Sequence, residues 1–315
     1  MANEYLKASD FFKTIRSDEW VYFLVRHGER GHILPDDPDH GAFVGLTERG
    51  REQALNLGRA MGSAIAKVTE LRQGDTLASR SALIDLRHSE PVRFRHFEPA
   101  HFRHSEPRRG EESRAVATST GSISFFSSPV GRCMETAQNI GRGFYEAFGS
   151  ASPTESNKKV LEPSRCAEQC SAFAHPHQLY IPHVEPLQPL AEFFVEHYDA
   201  YMETHTTGFY QGICRWLDGT ATNPDYIDPA YFPLASRSRE MLDMMLEKGN
   251  ARVNVFCSHD AWIVPCLAHF CGFKFTPQLW MNFLTGIAFV VRDGTAAKVD
   301  RIAAVTGLED GNLFF

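Results

Sequence analysis

Three short apolar runs punctuate the chain, and each ends abruptly in charged or small polar residues. Residues 20–25 (WVYFLV) run into RHGER, residues 123–126 (ISFF) into SSPVGR, and residues 253–257 (VNVFC) into SHD. Runs this short, apolar at consecutive positions and rich in aromatic and β-branched residues, predict strands buried on both faces. Helical periodicity follows. Ala54, Leu57, Met61, Ala64 and Val68 recur at the spacing of one helix face, and Thr47 with Glu48 supplies an N-cap and an acidic first turn. Cys133, Ala137, Ile140, Phe144 and Phe148 mark a second such face, and the third run leads into SHDAWIVPCLAHF. Near the end, GIAFVVRDGTAAKVDRIAAV reads as two strands about an Asp293-Gly294 turn. Strand, loop and helix thus recur three times, which predicts an α/β fold with a largely parallel central sheet.

Two stretches break the pattern. Residues 160–250 are Pro-rich at first and then helical near 188–217 and 236–248, a mainly helical insertion placed to act as a cap. Its aromatic run (Phe193, Phe194, Tyr198, Tyr201, Phe209, Tyr210, Trp216) reads as helix core, with a substrate wall as the alternative. Residues 69–122 carry RHSEPVRF, RHFEPAHF and RHSEPRRG at a period of eight. That period fits no helix, and Pro91, Pro99 and Pro107 would interrupt a helix or a central strand each time, so the segment is expected to be a poorly ordered insertion.

Composition narrows the function. The 315 residues are 43% hydrophobic and 23% charged, an ordinary globular balance, and a chain of this length needs no disulfide staples. The net charge of −7 argues against a nucleic-acid surface, so any anion site must be a local basic pocket. No apolar stretch approaches the roughly 18 residues of a membrane helix. The first 20 residues lack the apolar core of a signal peptide, and seven cysteines without zinc-ligand spacing read as free thiols. A cytoplasmic protein without membrane or nucleic-acid partners is expected. His175, His177 and His183 invite a metal, but they lie in a Pro-rich stretch without a helix to align them, so no metal and no cofactor is expected.

The pattern Arg-His-any-Glu occurs four times. Only the copy at residues 26–29 follows a strand-like run and has Gly at its third position, so it reads as one site and three decoys. Ligand chemistry in α/β proteins sits at the carboxyl ends of strands. If the three strands are neighbours, Arg26, His27, Arg30, Arg132, His259 and Asp260 converge there. Guanidinium forks match phosphate oxygens, a neutral imidazole is a competent nucleophile toward phosphorus, and an acid must protonate the departing alkoxide. Neighbouring arginines would hold His27 unprotonated.

RHGER, LTERGREQA, SSPVGRCMETA and SHD, in this order, resemble the histidine phosphatase superfamily, over roughly residues 20–68, 123–148 and 250–292. The resemblance implies a three-layer α/β sandwich of phosphoglycerate mutase-like type, one domain over residues 1–315. It implies that His27 is phosphorylated, while Arg26, Arg132 and His259 hold the phosphoryl group. Arg30 and the His259–Asp260 pair resemble the acid phosphatase branch, where the Asp is the proton donor. In the mutase-like branch the donor is a mid-chain Glu, for which Glu162 and Glu185 are candidates here and Glu29 a weaker one. The expected activity is metal-independent hydrolysis of a phosphorylated small molecule. A mutase-like phosphotransferase and a non-catalytic phospho-ligand binder are the alternatives. Substrate identity and oligomeric state are not legible in the sequence.

Overall fold

The three apolar runs become three neighbouring strands. In the computed structural model the described residues are 3–33, 43–79, 123–151, 182–223, 225–292 and 299–309. In chain order they form β1 (Leu6–Lys7), α1 (Ala8–Lys13), β2 (Glu19–Arg26), α2 (Glu48–Ser79), β3 (Ile123–Ser127), α3 (Gly131–Ala151), β4 (Val184–Pro186), α4 (Pro189–Glu192), α5 (Tyr198–Thr207), α6 (Phe209–Thr222), α7 (Leu234–Lys248), β5 (Val253–Ser258), α8 (Asp260–Cys271), β6 (Thr285–Arg292) and β7 (Val299–Thr306). One seven-stranded sheet runs β1-β7-β6-β2-β5-β3-β4. Strand β5 is parallel to both β2 and β3; β6 is antiparallel to β2 and to β7, and the remaining pairs are parallel. The sheet is therefore largely parallel, as its apolar runs predict.

Alternate residues of the central strands feed two separate cores. Val21, Phe23 and Val25 of β2, with Val253, Val255 and Cys257 of β5, pack against α1, α2 and α3. Tyr22, Leu24 and Phe256 point the other way, toward α6, α7 and α8. The period of two in a strand makes this division, and burial on both faces explains why the strands read as unbroken apolar runs. The result is helix, sheet and helix in three layers. The stretch at 160–250 supplies the edge strand β4 as well as helices, and Leu190, Phe194, Ile213, Trp216, Met241 and Met245 join the second core.

The periodic stripes face the cores as predicted. Ala54, Leu57, Met61 and Ala64 of α2 and Cys133, Ala137, Ile140 and Phe144 of α3 are buried. The Thr47 hydroxyl accepts the Gly50 N–H at 3.0 Å, which is the expected N-cap. Helix α2 runs to Ser79, so residues 69–79 continue a helix instead of opening an irregular insertion. Their polarity concealed this, because the apolar stripe ends near Val68. The octad repeat from Arg87, the Asp293-Gly294 turn, Glu162, His175 and His177 lie outside the described residues.

Helices α2 and α3 approach through glycine. A Cβ on Gly58 would fall inside the radius of the Ile140 carbonyl oxygen, and one on Gly143 inside that of Leu55. Gly58→Ala is expected to destabilise the protein by more than about 2 kcal/mol, because overpacking backbone against backbone forces the helices apart. The intrinsic helix preference of Ala, about 1 kcal/mol in the opposite sense, is the smaller effect. Denaturant unfolding of the variant checks this; an unchanged or raised midpoint would contradict it.

Candidate active site

The order β2-β5-β3 brings the three polar strand ends together. His27 follows β2, and its backbone N–H donates to the Ser258 carbonyl at 3.0 Å, extending the ladder into the site. Arg132 is the second residue of α3, and Asp260 opens α8 directly after His259. The starts of two helices thus meet at the strand ends, and the positive ends of their dipoles favour an anion there.

Arg26 and Asp260 form the buried floor. The Arg26 Nη2 lies 2.8 Å from Asp260 Oδ2, and Nη1 donates to the Met281 carbonyl at 2.6 Å. The guanidinium carbon stands 4.4 Å from the centroid of the Phe283 ring, a cation–π contact. Asp260 also accepts the Trp280 indole N–H at 3.0 Å and the Ala261 backbone N–H at 2.9 Å. Burial would push this carboxyl up, but Arg26, Trp280, His259 and the Ala261 amide together hold it below the usual carboxylate range. Asp260 is therefore an anion at neutral pH.

His27 is positioned as a neutral ring. The His27 Nδ1 lies 2.8 Å from the Gly28 carbonyl, which can only accept, so Nδ1 carries the proton. Its Nε2 lone pair faces Arg132 Nε at 3.2 Å. His259 Nδ1 lies 3.3 Å from Arg132 Nη2, and its Nε2 lies 3.1 Å from the Ser128 hydroxyl. The two rings are 5.6 Å apart between centroids. Burial lowers the His27 pKa well below 6.5, and Arg26, His259 and Arg132 lower it further. His27 is thus a buried base whose free nitrogen points at a guanidinium.

Arg30 completes the cationic set from the loop. It is half-buried, donates to the Gly31 carbonyl at 2.9 Å, and feels Arg26, Arg132, Asp260 and Tyr210. Burial and Arg26 lower its pKa, as burial does that of Arg132. Three guanidiniums against one carboxylate leave a surplus of positive charge that an anion would relieve.

All six residues singled out from the sequence therefore gather in one place. Glu29 does not join them: it accepts from the Thr47 hydroxyl at 3.0 Å and pairs with Arg49. Glu185 sits exposed on the edge strand β4. Sequence reading missed Trp280 and Phe283, which reach the site from the segment before β6, and Ser128, Cys133 and Thr136. Thr136 accepts the Gly28 N–H at 2.9 Å, tying the loop after β2 to α3. Gly28 and Thr136 stand in quoted motifs, whereas nothing in QLWMNF signals that it holds Asp260. What approaches Gly28 closely is the Gly50 carbonyl at the start of α2, 2.9 Å from the place of a Cβ. Of the aromatic run, Phe193, Phe194 and Trp216 are core, but Tyr210 packs on Trp280 at 4.9 Å and lies within the field of Arg26, Arg30 and Asp260.

No protein-family model matches the chain, and no curated protein matches it. Among solved structures it is similar to a phosphoserine phosphatase from Entamoeba histolytica, with 14% identity over 92% of this chain and 98% of that one, at a TM-score of 0.38. A mycobacterial glucosyl-3-phosphoglycerate phosphatase gives 13% identity, 90% and 96% coverage and a TM-score of 0.37. A phosphoglycerate mutase from Bacillus anthracis gives 13% identity, 88% and 90% coverage and a TM-score of 0.35. These neighbours are phosphatases and a mutase, the kinds of protein that the motifs resemble. At such identities and scores the likeness carries no argument about activity, which rests on the site.

Proposed function

We propose that the chain is a phosphomonoester hydrolase of the histidine phosphatase superfamily, acting through a phosphohistidine on His27. The observation that carries this reading is the His27 ring, with its proton fixed on Nδ1 and its Nε2 lone pair turned toward Arg132, where three arginines and the starts of two helices meet. A binding protein needs the cations but not a neutral, correctly tautomerised nucleophile among them. The phosphoryl group displaces the Arg132–His27 contact, and Nε2 attacks phosphorus in line with the leaving oxygen. Arg26, Arg30, Arg132 and the His259 ring hold the equatorial oxygens as charge shifts. Water then attacks phosphohistidine and releases phosphate. The guanidiniums supply the charge stabilisation, so hydrolysis requires no metal.

Asp260 gives the leaving oxygen its proton in this reading. It is ionised in the resting site, so it takes up the proton only when the phosphate dianion draws Arg26 away and raises its pKa. That observation favours a second donor, Glu192, which ends α4. Helix α4 is anchored beside the site by Ser258 Oγ and Trp262 Nε1, which donate to the Leu190 and Ala191 carbonyls at 2.7 and 2.5 Å. Glu192 and Asp260 both act on the Tyr201 hydroxyl.

The substrate is a phosphorylated small molecule, and the described residues of the stretch at 160–250, from 182 onward, cap the pocket within one domain, with Tyr210 directed toward the site. The five described cysteines are free thiols, which fits a cytoplasmic location, and no helix among the described residues is long and apolar enough to cross a membrane.

The test is phosphate release from an aryl phosphate in EDTA from pH 7 to pH 6. At pH 6 an ordinary imidazole would be about three-quarters protonated. A nucleophile held below its usual pKa stays neutral there, so kcat is expected to persist. A fall centred at or above pH 6.5, or activity lost in EDTA, would refute this reading.

A further inference from the structure

Two buried thiols stand directly behind the phosphate pocket, and the phosphoryl chemistry uses neither. Cys133 follows Arg132 in the first turn of α3, and Cys257 lies in β5 two residues before His259. Both are fully buried in the same core, where β5 meets α3. The two thiols are close enough for each to shift the titration of the other. The Cys133 sulfur is 3.6 Å from the carbonyl oxygen of Ser258, the residue after Cys257. It is also 3.6 Å from Nε2 and 3.9 Å from Nδ1 of His259, so it lies against that ring. His259 itself is only partly buried, and its ring touches both the Cys133 sulfur and Arg132.

The two thiols are not equivalent. Burial would raise the Cys133 pKa, but Cys257, His259 and Arg132 outweigh it and lower it. Burial and the Cys133 sulfur push Cys257 well up. The thiolate is the nucleophilic form, so Cys133 attacks and Cys257 resolves.

We propose that Cys133 and Cys257 are a peroxide-oxidisable pair whose disulfide disables the phosphate pocket. The Cys133 thiolate attacks one oxygen of hydrogen peroxide. The O–O bond breaks, hydroxide leaves, and the sulfur, two electrons poorer, becomes a sulfenic acid. The Cys257 thiol then attacks that sulfur and loses its proton, the S–O bond breaks, water leaves, and the disulfide forms. A disulfide needs an S–S distance near about 2.05 Å, shorter than any thiol hydrogen bond. Closing that gap draws the end of β5 toward the first turn of α3. Arg132 immediately precedes Cys133 and His259 follows Cys257 by two residues, so their 3.3 Å contact and their aim at the phosphoryl group are lost.

The experiment treats the full chain with hydrogen peroxide, blocks remaining thiols in denaturant, and maps cross-linked peptides by mass. Phosphate release is measured before and after dithiothreitol. Expected are a Cys133–Cys257 linkage, a loss of activity of at least tenfold, and recovery of both thiols and activity on reduction. In Cys257→Ser the linkage cannot form, and dimedone captures a sulfenic acid at Cys133. Peroxide inactivation with both thiols intact would overturn the proposal, as would a linked protein that keeps its activity. The activity arm rests on the phosphatase reading, but the mass arm does not. Linkage that weakens inorganic phosphate binding in a chain with no hydrolase activity would refute that reading and support the thiol pair.

Discussion

Replacing His27 with Ala is expected to lower phosphate release by at least about 10⁴-fold, the scale on which covalent catalysis fails without its nucleophile. The substitution removes the Nε2 lone pair that faces Arg132. It leaves Arg26 with Asp260 and Met281, so the anion pocket survives. It also releases Arg132 Nε from the ring. Inorganic phosphate should therefore bind the variant at least as tightly as wild type. Loss of turnover with retained binding separates a nucleophile from a residue that only holds the pocket in shape. A variant that keeps a tenth of the activity would sink the phosphohistidine mechanism, and loss of both properties would point to a collapsed site. His27 also makes stability pH-dependent. Its folded pKa is depressed, so below pH 6.5 the unfolded chain binds the proton that the folded chain refuses. Its contribution is present above that pH and is lost as pH falls.

Asp260→Ala is expected to cost about 3–5 kcal/mol of stability, the usual penalty for leaving a buried charge without its partner. Arg26 is only 2% exposed and cannot turn to solvent. The loss is greatest at neutral pH. Asp260 titrates below 3.8 in the folded protein, so the wild-type advantage fades as pH falls through that range and the carboxyl is neutralised. Asp260→Asn keeps the shape and an acceptor for Trp280, and it isolates the proton. If Asp260 protonates the leaving oxygen, the variant loses far more activity on alkyl than on aryl phosphates, because poor leaving groups need the acid most. A uniform loss across leaving groups would reduce Asp260 to the anchor of Arg26. The leaving-group dependence would then be expected in Glu192→Gln.

Much of the site is legible because its parts are local. An apolar run that stops at RHGER, SSPVGR or SHD marks a strand whose end carries chemistry. The periods of two and 3.6 assign the flanking elements without knowledge of any contact. Those signals sufficed for His27, Arg132, His259, the Thr47 cap and the faces of α2 and α3. The tertiary structure decided what depends on pairing across the chain. Strand order made three distant segments neighbours. Arg26 is fixed by Met281, 255 residues away, and Asp260 by Trp280, whose segment has no pattern of its own. Those bonds hold Asp260 as an anion, which residue type alone would not reveal. Helix α2 outran its apolar stripe, since a helix continues on backbone hydrogen bonds where side chains no longer report it. The glycines between α2 and α3 and the thiols of Cys133 and Cys257 acquire meaning only from what faces them across the layers. Local sequence fixes which residues can act; packing fixes their charge, tautomer and partners.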